Sequence, residues 1–406
     1  MPLTRQERTV TLLVAAVQFV NVLDFVMVMP LGPDFARALG IPTSQLGLVG
    51  GAYTAAAAVA GLAGSFFLDR FDRRPALGVA IFGLVCGTAL GGFARGLTTL
   101  VLARVCAGMF GGPATSLAVS IVADTVPPER RGAAMGITMA AFSAASVLGV
   151  PAGLEISQHF GWRMPFFSVA GLGVVIALCA VFLLPPMRKH LENRRKLVPL
   201  SHLFAQPAVR LSWTMTFVVM AAGFVVIPNL ATYVELNLDY PRASLGRLYF
   251  YAGIVTFFSA QLGGRAIDRL GSFRVGTFAV VLLCCVLYGG FGRVPPLLPA
   301  AALVVGFMFA LSLRNVAYNT LASKVPRPDE RARFMSIQSA VQHAASAGGA
   351  FLSSRLLTES SSGALVGMGR VALVCAGLTC ALPFLLHAVE ARVHKPLLET
   401  PIRDPS

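Results

Sequence analysis

Apolar runs of 17 to 25 residues recur along this 406-residue chain, and its charges are bunched into short clusters between them. Each run is long enough to cross a hydrocarbon core of about 30 Å at about 1.5 Å per residue. Only 13% of residues are charged, against about 25% in a soluble domain. Lipid offers the backbone no hydrogen-bond partners, so runs of this length in series must become helices. The fold class that follows is an all-α integral membrane protein.

Twelve transmembrane helices are predicted, at 9–31, 46–68, 76–94, 98–123, 132–156, 164–184, 208–231, 246–263, 275–291, 298–323, 334–357 and 370–389. They divide the chain into an N-terminal six-helix half (1–184), a basic polar linker (185–207), a C-terminal six-helix half (208–389) and a tail (390–406). The 40 glycines and 25 prolines are tolerated in lipid, where small residues let helices pack closely.

Of the 33 Lys and Arg residues, 23 fall on one side of this topology and 8 on the other. The positive-inside rule then places both termini in the cytoplasm of a multi-pass protein in a bacterial-type plasma membrane. It also accounts for the net charge of +15 as a topology signal facing anionic lipid, so no nucleic-acid partner is expected. All seven cysteines lie in predicted spans without metal-ligand spacing, and they read as small packing residues. The first apolar run is too long, and lacks the small-residue site, for a cleavable signal.

Short charged motifs organise the chain. Ser65-Phe-Phe-Leu-Asp69-Arg70-Phe-Asp72-Arg73-Arg74 sits between the second and third spans, and Asp268-Arg269-Leu-Gly271 repeats it at an offset of 199. Pro128-Glu129-Arg130-Arg131 recurs in the same way as Asp329-Glu330-Arg331. Arg104-Val-Cys-Ala-Gly108-Met-Phe-Gly111, Gly149-Val-Pro151-Ala-Gly153 and Gly161-Trp162-Arg163 add three more. Together they resemble the signature motifs of the major facilitator superfamily, in particular its proton-coupled drug-efflux and sugar-efflux branch. In that family's loop a Gly precedes the Asp by four residues and another follows it by three; here those positions hold Ser65 and Asp72.

The resemblance implies two pseudo-symmetric halves rocking about a central cavity. It makes Asp69, Arg70, Arg73, Arg74, Asp124, Asp268 and Arg269 a conformational gate. Asp69 is expected to meet helix N-termini of the other half, and Arg70 to pair with Asp124.

Polar residues within spans mark the candidate cavity. The first span offers Gln18, Asn21 and Asp24 along one side. An ionised carboxylate that deep is costly unless it faces a partner or water, so Asp24 is either a proton-coupling group or a structural acid bonded to a neighbouring helix. Arg104 and Arg314 are permanently charged and need acceptors. Asn315, Tyr318 and Asn319 flank Arg314, and the eleventh span adds Gln338, Gln342 and His343. His343 and Glu155 are further proton-coupling candidates, with packing and capping as their plainer roles.

The leading function is proton-coupled export, by antiport, of a small organic molecule through alternating access. The alternative is a proton symporter importing an organic anion or sugar, with Arg314 as the anion clamp. Paired catalytic carboxylates, a His-x-x-x-His motif and a phosphate loop are all missing from the sequence, which argues against an enzyme or an ATP-driven pump. No cofactor or metal is expected; the partners are protons, substrate and lipid, and the protein is expected to be a monomer.

Overall fold

The computed structural model describes residues 3–185, 187, 200–293, 295–327 and 330–393, and the side chains at 65–67, 69, 123, 128, 129, 131, 132, 139, 142 and 332 lie outside the described set. Most of the linker and all but four residues of the predicted tail also lie outside it.

The first helix, α1 (Arg5–Met27), opens on a capping box in which Thr4 and Glu7 satisfy each other's backbone amides. A short helix α2 (Gly32–Leu39) follows, closed by Gly40 at φ 63°, a left-handed conformation that glycine adopts freely. Next come α3 (Leu46–Phe67), α4 (Arg73–Gly92) and α5 (Leu97–Thr125). The fifth predicted span is two helices, α6 (Pro128–Ala144) and α7 (Val150–Phe160), joined by a π-helical turn at Ala145–Gly149. The N-terminal set ends with α8 (Met164–Leu183).

The C-terminal set begins at a short helix α9 (Leu200–Ala205) and α10 (Pro207–Leu236), followed by α11 (Arg242–Leu270) and α12 (Ser272–Phe291). It continues with α13 (Ala300–Ala322), α14 (Arg331–Leu356), α15 (Met368–Cys380) and α16 (Leu382–Val393). Between α14 and α15 lies a two-stranded antiparallel hairpin, β1 (Thr358–Glu359) with β2 (Leu365–Val366).

Among the described residues, nine helical stretches are long and apolar enough to cross a membrane. The other three predicted spans, 132–156, 246–263 and 334–357, are also helical; the first is divided by its π turn into helices of 17 and 11 residues, and the other two are more polar. They correspond to α6–α7, α11 and α14. Large apolar side chains such as Phe182, Leu373 and Phe384 are about three-quarters exposed (74%, 74% and 78%). A belt of this kind is stable only against lipid, so the chain is a multi-pass integral membrane protein.

Within the N-terminal set, α5 packs along α3 and α4, and α8 along α4. In the C-terminal set α14 lies against α10, and α13 against α11 and α12. The two sets meet where α3 crosses α14, where α7 crosses α11, and where α2 touches α10. At the first crossing, a Cβ on Gly47 would fall 2.4 Å from the carbonyl oxygen of Ala350, so this contact brings two backbones together. Gly47 begins α3 and Ala350 is near the end of α14. The contact therefore lies at the end of the bundle away from the start of α1.

Candidate functional site

Asp24 ends up on the inner side of α1, wholly buried, and its carboxylate is met by Arg104 of α5. One guanidinium nitrogen, Nη1, lies 2.9 and 3.0 Å from the two carboxylate oxygens, and Nη2 donates to the Asp24 carbonyl at 3.3 Å. The Thr88 hydroxyl of α4 donates to Oδ1 at 2.8 Å. The Arg104 guanidinium also lies over the Tyr53 ring, 4.6 Å from its centroid. Tyr53 in turn donates to Asn21 Oδ1 at 2.7 Å, and Asn21 donates to the Gly111 carbonyl and the Thr115 hydroxyl. Four helices thus converge on one acid–base pair. The glycines of the fourth-span motif permit it: a Cβ at Gly111 would fall 2.2 Å from the Tyr53 hydroxyl oxygen.

Asp24 and Arg104, each read from sequence as a candidate cavity group, are here bonded to each other. They form one internally neutral pair with 0% and 1% side-chain exposure. Both sit inside the N-terminal set.

Arg314 of α13 repeats half of this arrangement. Its Nη2 donates to the Val219 carbonyl of α10 at 3.0 Å and its Nη1 lies 3.4 Å from the Thr379 hydroxyl. Arg314 is 1% exposed, Nε has no partner, and no described carboxylate forms an ion pair with it. Nearby, Gln342 donates to the Tyr318 hydroxyl at 3.0 Å and Gln338 to the Thr216 hydroxyl at 2.6 Å, so these predicted cavity residues are bonded to their own set. Asn315 and His343 are half-buried, and Asn319 is exposed. Gln18 is buried with Oε1 unpartnered. Glu155 stands apart from all of these, half-exposed at the middle of α7 beside His159 and opposite Gly246 of α11.

The gate loop is also rearranged relative to expectation. Asp124 is bonded by Arg73 Nε at 3.2 Å, whereas Arg70 is exposed. The reason is local: Arg70 ends a 3₁₀ turn (Leu68–Arg70), while Arg73 begins α4 and is turned toward α5. Asp72, the departure from the family's glycine, caps α4 by accepting from Arg74 N at 3.0 Å, and accepts from Met187 N at 3.1 Å. Asp268 and Arg269 are exposed. The expectation for Asp69 falls on a side chain outside the described set.

Sequence reasoning missed a second cluster, at the opposite end. Arg242 of α11 holds Asp34 of α2 through two contacts, Nε to Oδ1 at 3.0 Å and Nη2 to Oδ2 at 2.6 Å. Ser157 of α7 donates to the same carboxylate at 2.8 Å. Arg37 bridges Asp34, at 2.9 Å, to Glu235 of α10. Thr43 donates its amide to Glu359 at 2.6 Å and its hydroxyl to the Gly363 carbonyl at 3.0 Å. Burial by itself would raise the Asp34 pKa, but its bonds and charge interaction with Arg242 outweigh this and hold it below the ordinary value of 3.8. The available signal was opposite charge at neighbouring span ends of the two halves, which a linear reading does not pair.

The Major Facilitator Superfamily profile matches residues 14–388. Among solved structures, the chain is similar to a bacterial homolog of the human lysosomal transporter Spinster in an inward-facing, unoccupied conformation. The TM-score is 0.73 at 18% identity, covering 97% of this chain and 95% of that one. It is similar to a D-xylose-proton symporter (TM-score 0.74, 16% identity, 93% and 97% covered). It is also similar to the human organic anion transporter MFSD10 (TM-score 0.64, 20% identity, 94% and 99% covered). At these identities the likeness is one of fold.

Proposed function

The chain belongs to the major facilitator superfamily, a class of secondary transporters rather than enzymes, and on that premise we propose that it is a proton-coupled symporter of a small organic anion. The carrying observation is the charge balance in the bundle interior. Away from the helix ends, the described charges are one carboxylate, Asp24, and two guanidiniums, Arg104 and Arg314. A cationic substrate would add to that excess; an anionic one removes it.

The Asp24–Arg104 pair supplies the coupling. With Asp24 ionised, the pair is neutral. Protonation of Asp24 removes the counter-charge and leaves Arg104 as an uncompensated cation in a low-dielectric interior, which is costly. An organic anion entering the bundle interior, with Arg314 as its clamp, offsets that excess charge. Proton and anion therefore favour each other's binding and travel in the same direction. A cation would instead compete with the proton for Asp24, which is the logic of antiport and export. The sequence feature favouring that second reading is the Gly149-Val-Pro151 motif, which here runs from the last residue of the π turn into α7.

In this reading the twelve predicted spans form two six-helix halves, 1–184 and 208–389, that rock about the 185–207 linker. Both termini face the cytoplasm of a plasma membrane, and the protein acts as a monomer. The end where α2, α7 and the hairpin meet would be the outer one. Its closure and the neighbours' fold support a state open to the cytoplasm.

The test is reconstitution into liposomes with an imposed pH gradient, offering small carboxylates, sugars and lipophilic cations. Wild-type protein is expected to accumulate a carboxylate in the direction of proton flow. Asp24→Asn mimics the protonated acid, so it should retain counterflow exchange and lose proton-driven accumulation. Full accumulation by the Asn variant would remove Asp24 from the coupling role and leave Glu155 and His343 as the groups to examine. Proton-driven movement of a cation in the opposite direction would establish the antiport reading.

A further inference from the structure

We infer that the Asp34–Arg242 pair is a latch between the two helix sets, and that breaking it opens the end of the molecule opposite the Asp-Arg loops. Asp34 and Arg242 act as positioning residues: they set which end is open and need touch no substrate.

Three observations carry the inference. First, the cluster joins chain segments from both sets. Asp34 and Arg37 stand on α2 and Ser157 on α7, while Arg242 begins α11 and Glu235 closes α10. Second, its members are mostly sheltered: side-chain exposure is 13% for Asp34, 18% for Arg242 and 6% for Glu235, with Arg37 at 52% forming the solvent-facing rim. Partly buried and bidentate, the Asp34–Arg242 contact is stronger than an exposed surface pair. Third, one end of the cluster is held within the N-terminal set and its ion pairs cross the junction. Ser157 and Arg37 fix the Asp34 carboxylate from its own set, while Arg242 meets it from the other, reaching also toward the Leu154 carbonyl at 3.5 Å, and Arg37 crosses to Glu235.

The pair has an arrangement well suited to a two-state element. The contact spans α2 and α11, so moving the two sets apart at this end must break it. Neither ion would then keep the other's charge, and both would need water. The latch thus stabilises only the state closed here, and by linkage it disfavours the alternative by the same amount. A second clasp, Thr43 on Glu359 and Gly363, ties the start of α3 to the hairpin and should open in the same motion.

Spin labels replacing Gln158 and Ser361, both exposed and one on each set, would report the separation at this end by double electron–electron resonance. Asp34→Asn and Arg242→Gln are each expected to raise the open population about tenfold, and the double variant no further, because they remove one shared interaction. Arg242→Lys keeps charge without the fork and should fall between. The readout is a distance distribution in purified protein without substrate, so its result is independent of which substrate is moved or in which direction. Unchanged distributions in both single variants would overturn the latch, and so would additive effects in the double variant. If Arg242→Gln does not fold, Asp34→Asn, which retains the hydrogen-bonding shape of the side chain, decides the matter alone.

Discussion

Two aspartates on neighbouring helices, each gripped by an arginine, have opposite consequences at the residue scale. Asp24 and Arg104 are bonded within one helix set, so the pair survives any rigid motion of that set. Asp34 and Arg242 are bonded between sets, so a motion that separates the sets at this end costs the pair. The pH dependence of closure follows from Asp34. Its carboxyl titrates below the ordinary 3.8 in the closed state. The contribution is therefore fully present above that value and is lost as pH falls through the lower, closed-state one. Label distances are expected to stay constant from neutral pH down to about 4 and to lengthen only below it. Since Arg242 is the main source of the depression, Arg242→Lys, with a weaker hold, should move the onset upward toward the ordinary value. Asp34→Asn should abolish the acid transition. An acid transition that persists in Asp34→Asn would place its source outside this pair.

Elements show where sequence reading succeeds and where it stops. The helices could be placed because hydrophobic length is a one-dimensional property, and each predicted span is helical here. Asp24 was visible because a charge amid apolar residues is locally anomalous. Its engagement with Arg104, 80 residues away, was not, since that depends on how α1 and α5 are rotated. The exchange of Arg70 for Arg73 at Asp124 has the same cause, a 3₁₀ turn whose phase no periodicity announces. The π turn in the fifth span and the hairpin at Thr358–Val366 were likewise illegible, being short and set by tertiary contact. Close packing of α5 supplies a test at this scale. Gly111→Ala would drive a methyl group into the Tyr53–Asn21 hydrogen bond and is expected to cost about 1–3 kcal/mol, seen as earlier thermal unfolding in detergent. Gly136→Ala, where a Cβ meets nothing within 4 Å, should be neutral or slightly stabilising. Equal behaviour of the two would mean that α3 and α5 are not held this tightly.

At the scale of the whole molecule, the three predicted spans outside the nine long apolar helices have a common position. The α6–α7 segment packs on α11, and α14 packs on α3. A helix covered by protein from the other set has less lipid to satisfy, and its polarity is then affordable. Helices on the outside have no such freedom. Leu373 on α15 is 74% exposed, so Leu373→Arg, about one turn inside its span, should cost insertion free energy, though less than the roughly 2.5–3.5 kcal/mol of a charge at the helix centre. Reduced recovery in the membrane fraction, relative to Ser361→Arg on the exposed turn, would be the measure. Equal recovery would place α15 away from lipid.

The hydrogen bond from Thr43 to Glu359 spans 316 residues of chain. A ribosome working at about 5–20 residues per second would make Glu359 roughly 16 to 63 seconds after Thr43. By the end of that interval the newborn protein has its N-terminal helix set complete and the foot of α3 still waiting for its acceptor. Closure of this junction therefore waits for the hairpin, and a chain arrested before the hairpin emerges would be born with that end unclasped.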